Sequence, residues 1–171
     1  ALYSMNFQET TIDDFTGVFD LYRRVAVTPG GLARLSDEID ENYVSSFMTK
    51  TINNGVGLVA LDENGQIVGE IHAYKTGLYC FSHVLSELTL AVDPNFQGKG
   101  IGRKLLSHLL SKVIDSYPEI TRVELIARES NQKAILLYKS LGFLPEGRLL
   151  GRIRNIDNTF ESDIPMAWIR T

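Results

Sequence analysis

The spacing of apolar positions divides the chain into a sequence of elements. Residues 2–8 alternate loosely and predict a first strand. From Thr11 the spacing becomes helical, with Ile12, Phe15, Val18, Phe19, Tyr22 and Val25 recurring behind an Asp-rich start, and Thr28-Pro29-Gly30-Gly31 stops the run. A second helix, opened by Ser36 or Asp37, carries Ile39, Tyr43, Phe47 and Met48 as far as Asn53-Asn54-Gly55. Residues 56–61, the turn Glu63-Asn64-Gly65 and residues 66–75 form the strongest β-hairpin pattern in the chain. Residues 85–92 predict another strand, ended by Asp93-Pro94-Asn95. Residues 99–117 then carry Ile101, Leu105, Leu106, Leu109, Leu110, Val113 and Ile114 as one stripe at helical period. A strand at 122–127, a helix at 131–141 and two strands at about 143–153 and 159–169 complete the pattern.

The order β-α-α-β-β-β-α-β-α-β-β places an antiparallel meander first and a strand-helix-strand crossover across residues 85–127, which makes two strands parallel. The expected fold is α/β of the α+β kind: a mixed, mostly antiparallel sheet of about seven strands with helices on both faces. At 171 residues, one domain over 1–171 is expected, with Met5 a candidate native start and residues 1–4 a remnant ahead of it.

Composition narrows the function classes. Hydrophobic residues make up 44% and charged ones 22%, enough apolar material for a sizeable core. Seventeen basic against 21 acidic residues leave a net charge of −4, the opposite of what phosphate-neutralising nucleic-acid binders show. No apolar run reaches the length of a membrane helix, and no basic region leads into an apolar core near the start. Neither nucleic acid nor membrane is expected as a partner, and the expected setting is soluble, reduced and cytoplasmic. The one cysteine, Cys80, excludes an internal disulfide and reads as a buried small apolar residue. His72, His83 and His108 lack metal-ligand spacing, so no metal is expected.

The most informative stretch is Gln97-Gly98-Lys99-Gly100-Ile101-Gly102-Arg103-Lys104, between a strand and a helix. A glycine inside a helix costs about 1 kcal/mol relative to alanine, so three in one opening turn oppose the stripe that follows. Absent Cβ atoms let a bulky anion approach bare backbone N–H groups at the positive end of the helix dipole, and Lys99, Arg103 and Lys104 add positive charge. The other reading is a tight connection needing glycine for backbone geometry alone. A Walker A loop is excluded because Lys99 is followed by Gly100, and a dinucleotide fingerprint because its third glycine position is Arg103.

In these residues the chain resembles the GNAT superfamily of acyl-CoA-dependent N-acyltransferases. Gln97-Gly98-Lys99-Gly100-Ile101-Gly102 fits the family signature at every position: Gln or Arg, two residues, Gly, one residue, Gly or Ala. The likeness continues in Leu90-Ala91-Val92-Asp93-Pro94, in residues 131–134 and in Leu137-Tyr138-Lys139-Ser140-Leu141-Gly142-Phe143, and the element order is similar nearly throughout. The resemblance implies that residues 97–102, with Arg103, grip the coenzyme A pyrophosphate, that the backbone of Leu90, Ala91 and Val92 pairs with the pantetheine arm, and that Asn131 touches the donor. It also implies that the segment from Pro29 to Arg34 lines the acceptor pocket.

Acyl transfer from a thioester to an amine needs a neutral nucleophile, yet lysine-type amines titrate near 10.4 and α-amines near 7.7–8.0, so a base must take a proton. Glu87 is the candidate. Under strand alternation Leu88, Leu90 and Val92 point one way and Glu87, Thr89 and Ala91 the other. A glutamate six residues before Asp-Pro holds the general-base position in the phosphinothricin-acetyltransferase-like branch, which Glu87 matches by resemblance. A solvated residue at the open end of the strand is the alternative. Tyr138 suits protonation of the departing thiolate; by resemblance it is the general acid. It lies seven residues after Asn131, on nearly the same helix face. A core tyrosine and a purely capping Asn131 stay open beside these roles. Arg148, Arg152 and Arg154 share a strand face that is either solvated or able to hold an acidic substrate. The expected activity is transfer of an acetyl group from acetyl-CoA to the primary amine of a small molecule or amino acid in a ternary complex, with a homodimer left open. A non-catalytic acyl-CoA sensor and a protein N-terminal acetyltransferase are the alternatives.

Overall fold

The computed structural model describes residues 5–171. Its strands are β1 (Asn6–Glu9), β2 (Gly55–Leu61), β3 (Ile67–Tyr74), β4 (Val84–Val92), β5 (Arg122–Arg128), β6 (Leu144–Pro145), β7 (Leu149–Arg154) and β8 (Phe160–Ile169). The helices are α1 (Phe15–Ala26), α2 (Glu41–Asn54), α3 (Ile101–Ser116) and α4 (Gln132–Ser140). The expected first strand falls partly on residues outside those described; its described part begins at Asn6.

One sheet runs β1-β2-β3-β4-β5-β8-β6, with β7 also paired to β8. Every pairing is antiparallel except β4 with β5, the pair joined through α3. The sheet has eight strands instead of about seven, because the stretch read as one strand at 143–153 breaks into β6 and β7. Leu144 pairs with Ala167 and Leu149 with Asp163, so both pieces use the same partner strand.

Strand alternation divides the core into two layers. Leu58, Ala60, Ile71 and Leu88 face the layer closed by Leu105, Leu106, Leu109 and Val113 of α3, while Val59 and Ala91 face Val18, Leu21 and Tyr22 of α1 and Phe47 and Met48 of α2. The hairpin between β2 and β3 turns at Gly65, whose φ of 78° is the left-handed conformation glycine tolerates.

The second helix opens later than its sequence suggests. Ser36–Glu38 is an isolated 3₁₀ turn, and the side chain of Asp40 caps α2 by accepting from Tyr43 N–H at 2.8 Å. Asp40→Ala is expected to cost about 1 kcal/mol, read as a lower urea midpoint at unchanged slope.

Two irregularities shape the centre of the sheet. In β4, Tyr74 pairs with Ser86 and His72 with Thr89, so two residues, Glu87 and Leu88, stand opposite one. The extra residue is Glu87, a non-glycine held at φ 58°. The bulge overturns simple alternation along β4: Leu85 packs in the same layer as Leu88, although strict period two would put it with Glu87. The second irregularity is that β4 and β5 pair only at Val84–Arg122 and Leu85–Val123, beyond which they are no longer paired.

Candidate active site

A groove of about 510 Å³ lies where β4 and β5 part, lined by Leu90 and Val92 of β4, by the glycine-rich turn and by α4. The turn is set from below. Buried Asp93 accepts from Asn95 N–H at 2.9 Å and from Arg24 Nε at 2.8 Å, and Arg24 also donates to the Ile67 carbonyl at 3.0 Å. That clamp ties the end of α1 to the exit of β4; it joins residues 69 apart, and no local pattern signalled it.

The three glycines do different work. Gly98 and Gly100 sit at φ 76° and 80°, and Gly100 occupies the N-cap of α3 without a side-chain cap. The first-turn N–H groups of α3 therefore have no side-chain acceptor over them, and as in any helix they lack intrahelical partners. Gly102 is helical, and a Cβ there would stand 3.4 Å from Leu90 Cδ2 and 3.7 Å from Leu137 Cδ2, ordinary packing distances. Ile101 is buried and anchors the helix start. Gln97 lines the groove and donates to the Val92 carbonyl at 3.5 Å. Arg103 lines it and donates to Ser140 Oγ at 2.7 Å.

Two of the expected donor contacts have side chains turned away from the groove. The Ala91 side chain is buried against α1 and α2, so only its backbone could serve the groove. The Lys99 ammonium rests over the Phe96 ring at 5.1 Å and is not part of the lining.

On the opposite wall Asn131 both caps α4, accepting from Ala134 N–H at 3.2 Å, and lines the groove, so the two readings of this residue are compatible. Tyr138 also lines it, half-buried, its ring 5.9 Å from that of Phe143. Burial pushes the phenol up to about 12, because removal from water penalises the phenolate.

A second pocket of about 310 Å³ is lined from β4 by Glu87 and Thr89, from β3 by His72 and Tyr74, and from α2 by Tyr43, Phe47 and Lys50, with Arg34 at its edge. Thr89 lines this pocket and its neighbour Leu90 lines the groove, so the two cavities flank the same point of β4. Glu87 is exposed and faces this pocket from the bulge. Tyr74 is raised above the usual phenol value by burial first and then by the Glu87 carboxylate. The Arg34 guanidinium lies 3.7 Å over the Tyr43 ring. Tyr43 is raised by burial, a shift that Arg34 opposes.

His72 is the residue the sequence reading passed over. It is 2% exposed and stacks on Phe47 at 4.2 Å, and its Nδ1 lies 2.9 and 3.0 Å from the two oxygens of Glu70, itself 1% exposed. Tyr22 O–H donates to the same carboxylate. The available signal was a Glu and a His two apart in an otherwise apolar strand, hence on one face.

Other expectations change. The segment 29–34 is divided: Pro29, Gly30 and Gly31 line the groove, and only Arg34 reaches the second pocket. The arginines after α4 are engaged by neighbours, Arg148 with Glu129, Arg152 with Asp163 and Arg154 over Phe160, and Gly151 at φ 60° breaks the period that grouped them. Cys80 is exposed in the turn Tyr79–Phe81, not buried. Among the described residues no cluster of His, Cys, Asp or Glu could hold a metal, and no helix is long and apolar enough to cross a membrane.

Comparison with known proteins gives a consistent picture. The model of the acetyltransferase (GNAT) family matches residues 18–143. A [ribosomal protein bS18]-alanine N-acetyltransferase of Salmonella typhimurium is 48% identical over 63 residues, which are 35% of this chain and 41% of that protein, so the match spans about two fifths of the relative. The L-amino acid N-acyltransferase MnaT of Escherichia coli K12 is 26% identical over 132 residues, 77% of this chain and 74% of that protein. Among solved structures, a phosphinothricin acetyltransferase from Sinorhizobium meliloti in complex with AcCoA superposes with a TM-score of 0.84 at 20% identity, covering 98% of this chain and 89% of that one; at that identity the likeness is one of fold.

Proposed function

The chain belongs to the acetyltransferase (GNAT) family, and from that premise we propose that it transfers an acetyl group from acetyl-CoA to the primary amine of a small molecule or amino acid, both substrates being bound together. The observation that carries this reading is a pair of cavities lined by neighbouring residues of β4, Leu90 in one and Thr89 in the other. One offers a bare-backbone turn suited to a pyrophosphate. The other offers a carboxylate suited to an ammonium group. A thioester lying along the open edge of β4 would bring its carbonyl to the stretch of strand that both cavities flank, which is the positioning that direct transfer needs.

In this mechanism Gly98, Gly100 and the first turn of α3 hold the pyrophosphate, with Gln97, Arg103 and Asn131 around it. Backbone amides near Leu90 and Val92 polarise the thioester carbonyl. Glu87 draws the ammonium group to the pocket mouth and takes its first proton, directly or through one water. Tyr138 donates to the sulfur as the thioester opens. Arg34 and Lys50 at the pocket edge favour an acceptor that carries an anionic group, and the amino-acid N-acyltransferase relative supports the same class.

The test is thiol release from acetyl-CoA over a panel of amino acids, polyamines and a peptide beginning with alanine. Small anionic amines are expected to turn over fastest. Glu87→Gln is expected to lower kcat/KM about tenfold near neutral pH and to recover as the pH approaches the amine's own pKa, where the substrate arrives already neutral. A Glu87→Gln protein equal to the wild type throughout removes that residue from the mechanism.

A further inference from the structure

Resting on the acetyltransferase reading, we propose that His72 is a second proton acceptor in the transfer, with Glu70 and Tyr22 as the residues that position it. The chemistry requires two departures from the acceptor nitrogen. An ammonium has three hydrogens and the amide product has one. The first proton leaves before attack. The second leaves once nitrogen has bonded to the acyl carbon and carries positive charge. One proton ends on the coenzyme sulfur by way of Tyr138 and the other goes to solvent, so R–NH₃⁺ plus thioester gives amide, thiol and H⁺.

Glu87, exposed at the pocket mouth, suits the first step because it can pass its proton to water. The second proton is released deeper, where the bond forms. His72 is placed there, since it pairs across the sheet with Thr89, whose neighbour Leu90 lines the donor groove, and it lines the same pocket as Thr89 and Glu87.

The ring is held in the orientation this role needs. An ionised Glu70 can only accept, from the Tyr22 phenol and from Nδ1, and in the neutral ring that assigns the histidine hydrogen to Nδ1 and leaves Nε2 with a lone pair. Nε2 has no hydrogen bond to a described residue. Among the described residues the one buried side-chain polar atom without a partner is Thr10 Oγ1, so Nε2 is reached by solvent. Because the residue as a whole is 2% exposed, that access comes through the pocket it lines. Stacking on Phe47 and, at 6.1 Å, on Tyr74 fixes the ring plane. The titratable and charged groups around it are Tyr22 from α1, Tyr43 and Lys50 from α2, Arg34 ahead of α2, Glu70 and Tyr74 on β3, and Glu87 on β4. When Nε2 takes the proton, the imidazolium is paired at once with the buried Glu70 carboxylate. Such a charge would otherwise be costly to form in a buried site.

The decisive variant is His72→Asn, whose amide nitrogen stands in for Nδ1 and keeps the donor to Glu70 while nothing replaces Nε2. Its kcat is expected to fall at least tenfold wherever the wild-type imidazole is neutral, with KM for acetyl-CoA within about twofold; loss of the ring stacked on Phe47 lowers the unfolding midpoint, and the assays are run well below it. The Glu87→Gln deficit fades as pH rises, whereas the His72→Asn deficit persists, because the second proton leaves the nitrogen even when the amine arrives neutral. A His72→Asn protein with wild-type kcat, or one whose deficit fades in the same way, overturns the proposal. Histidine-selective ¹⁵N NMR of the unaltered protein tests it independently of turnover and of that variant's folding. An Nδ1–H tautomer with a bare Nε2 that shifts when an amine is added is the expected result; an Nε2–H tautomer overturns it. Absence of turnover on every amine counts against the acetyltransferase reading and leaves the NMR result to decide for His72.

Discussion

Tyr138→Phe is expected to lower kcat by about 10²–10³-fold while KM for acetyl-CoA stays within about twofold, because it deletes one oxygen and leaves the ring packed against Phe143. The size of the effect follows from what the phenol can do in its surroundings. Burial holds it up to about 12, whereas a free thiol titrates near 8.5, so complete proton transfer to a solvated thiolate is uphill by roughly 5 kcal/mol. Two factors reduce that barrier. A thiolate born in the same groove is deprived of water too, which raises its own affinity for the proton. A hydrogen bond that strengthens as charge builds on sulfur also lowers the barrier without complete transfer.

The pH dependence has a definite sign. The neutral phenol is the donor, and a pKa raised to about 12 keeps it neutral through the alkaline range. The kcat of the wild type should therefore show no descending limb between about pH 8 and pH 10. Stopped assays across that range, with single-turnover measurements to isolate the acyl transfer, check both statements. Wild-type kcat in the Phe variant would sink the assignment.

Replacing Gly98 and Gly100 together by alanine is expected to weaken coenzyme A binding about a hundredfold. Each holds a left-handed conformation that costs an alanine about 1–2 kcal/mol, and about 2.8 kcal/mol is a hundredfold in affinity. The location of the penalty is the informative part. Both residues are exposed in the free protein, so the turn can relax when alanine is introduced, and the strain returns when a pyrophosphate requires the original backbone. Titration calorimetry with coenzyme A should therefore show the loss, while the melting temperature moves little. A lowered melting temperature with unchanged affinity would mean that the glycines serve only the chain's path into α3.

Some of the site is legible in the sequence. The turn from Gln97 to Gly102 could be read because its glycines contradict the helix they open, and such a contradiction is local. Tyr138 and Asn131 could be placed on one helix face because helical period is local as well, and both line the groove. Glu87 is singled out by alternation along a strand that in fact carries a bulge at that residue, and it lines the second pocket; the backbone there adopts φ 58° without the glycine that would have announced it. Cys80 was misread because an apolar neighbourhood in sequence, Leu78, Tyr79 and Phe81, is exposed in the folded chain. The group of arginines after α4 looked free because their partners, Glu129 and Asp163, lie 19 and 11 residues away from Arg148 and Arg152.

Period, turn chemistry and glycine placement thus specified the elements, their order and the glycine-rich turn, since each depends on backbone preferences and hydrophobic spacing within a few residues. The pocket beside Glu87 depended on tertiary structure. Tyr22 meets Glu70 across 48 positions, Arg24 meets Asp93 across 69, and His72 stands beside Thr89 only in a register that the bulge at Glu87 sets. Such contacts come from how strands pair and helices cross, which is determined by packing of the whole core and leaves no mark on any short stretch of sequence.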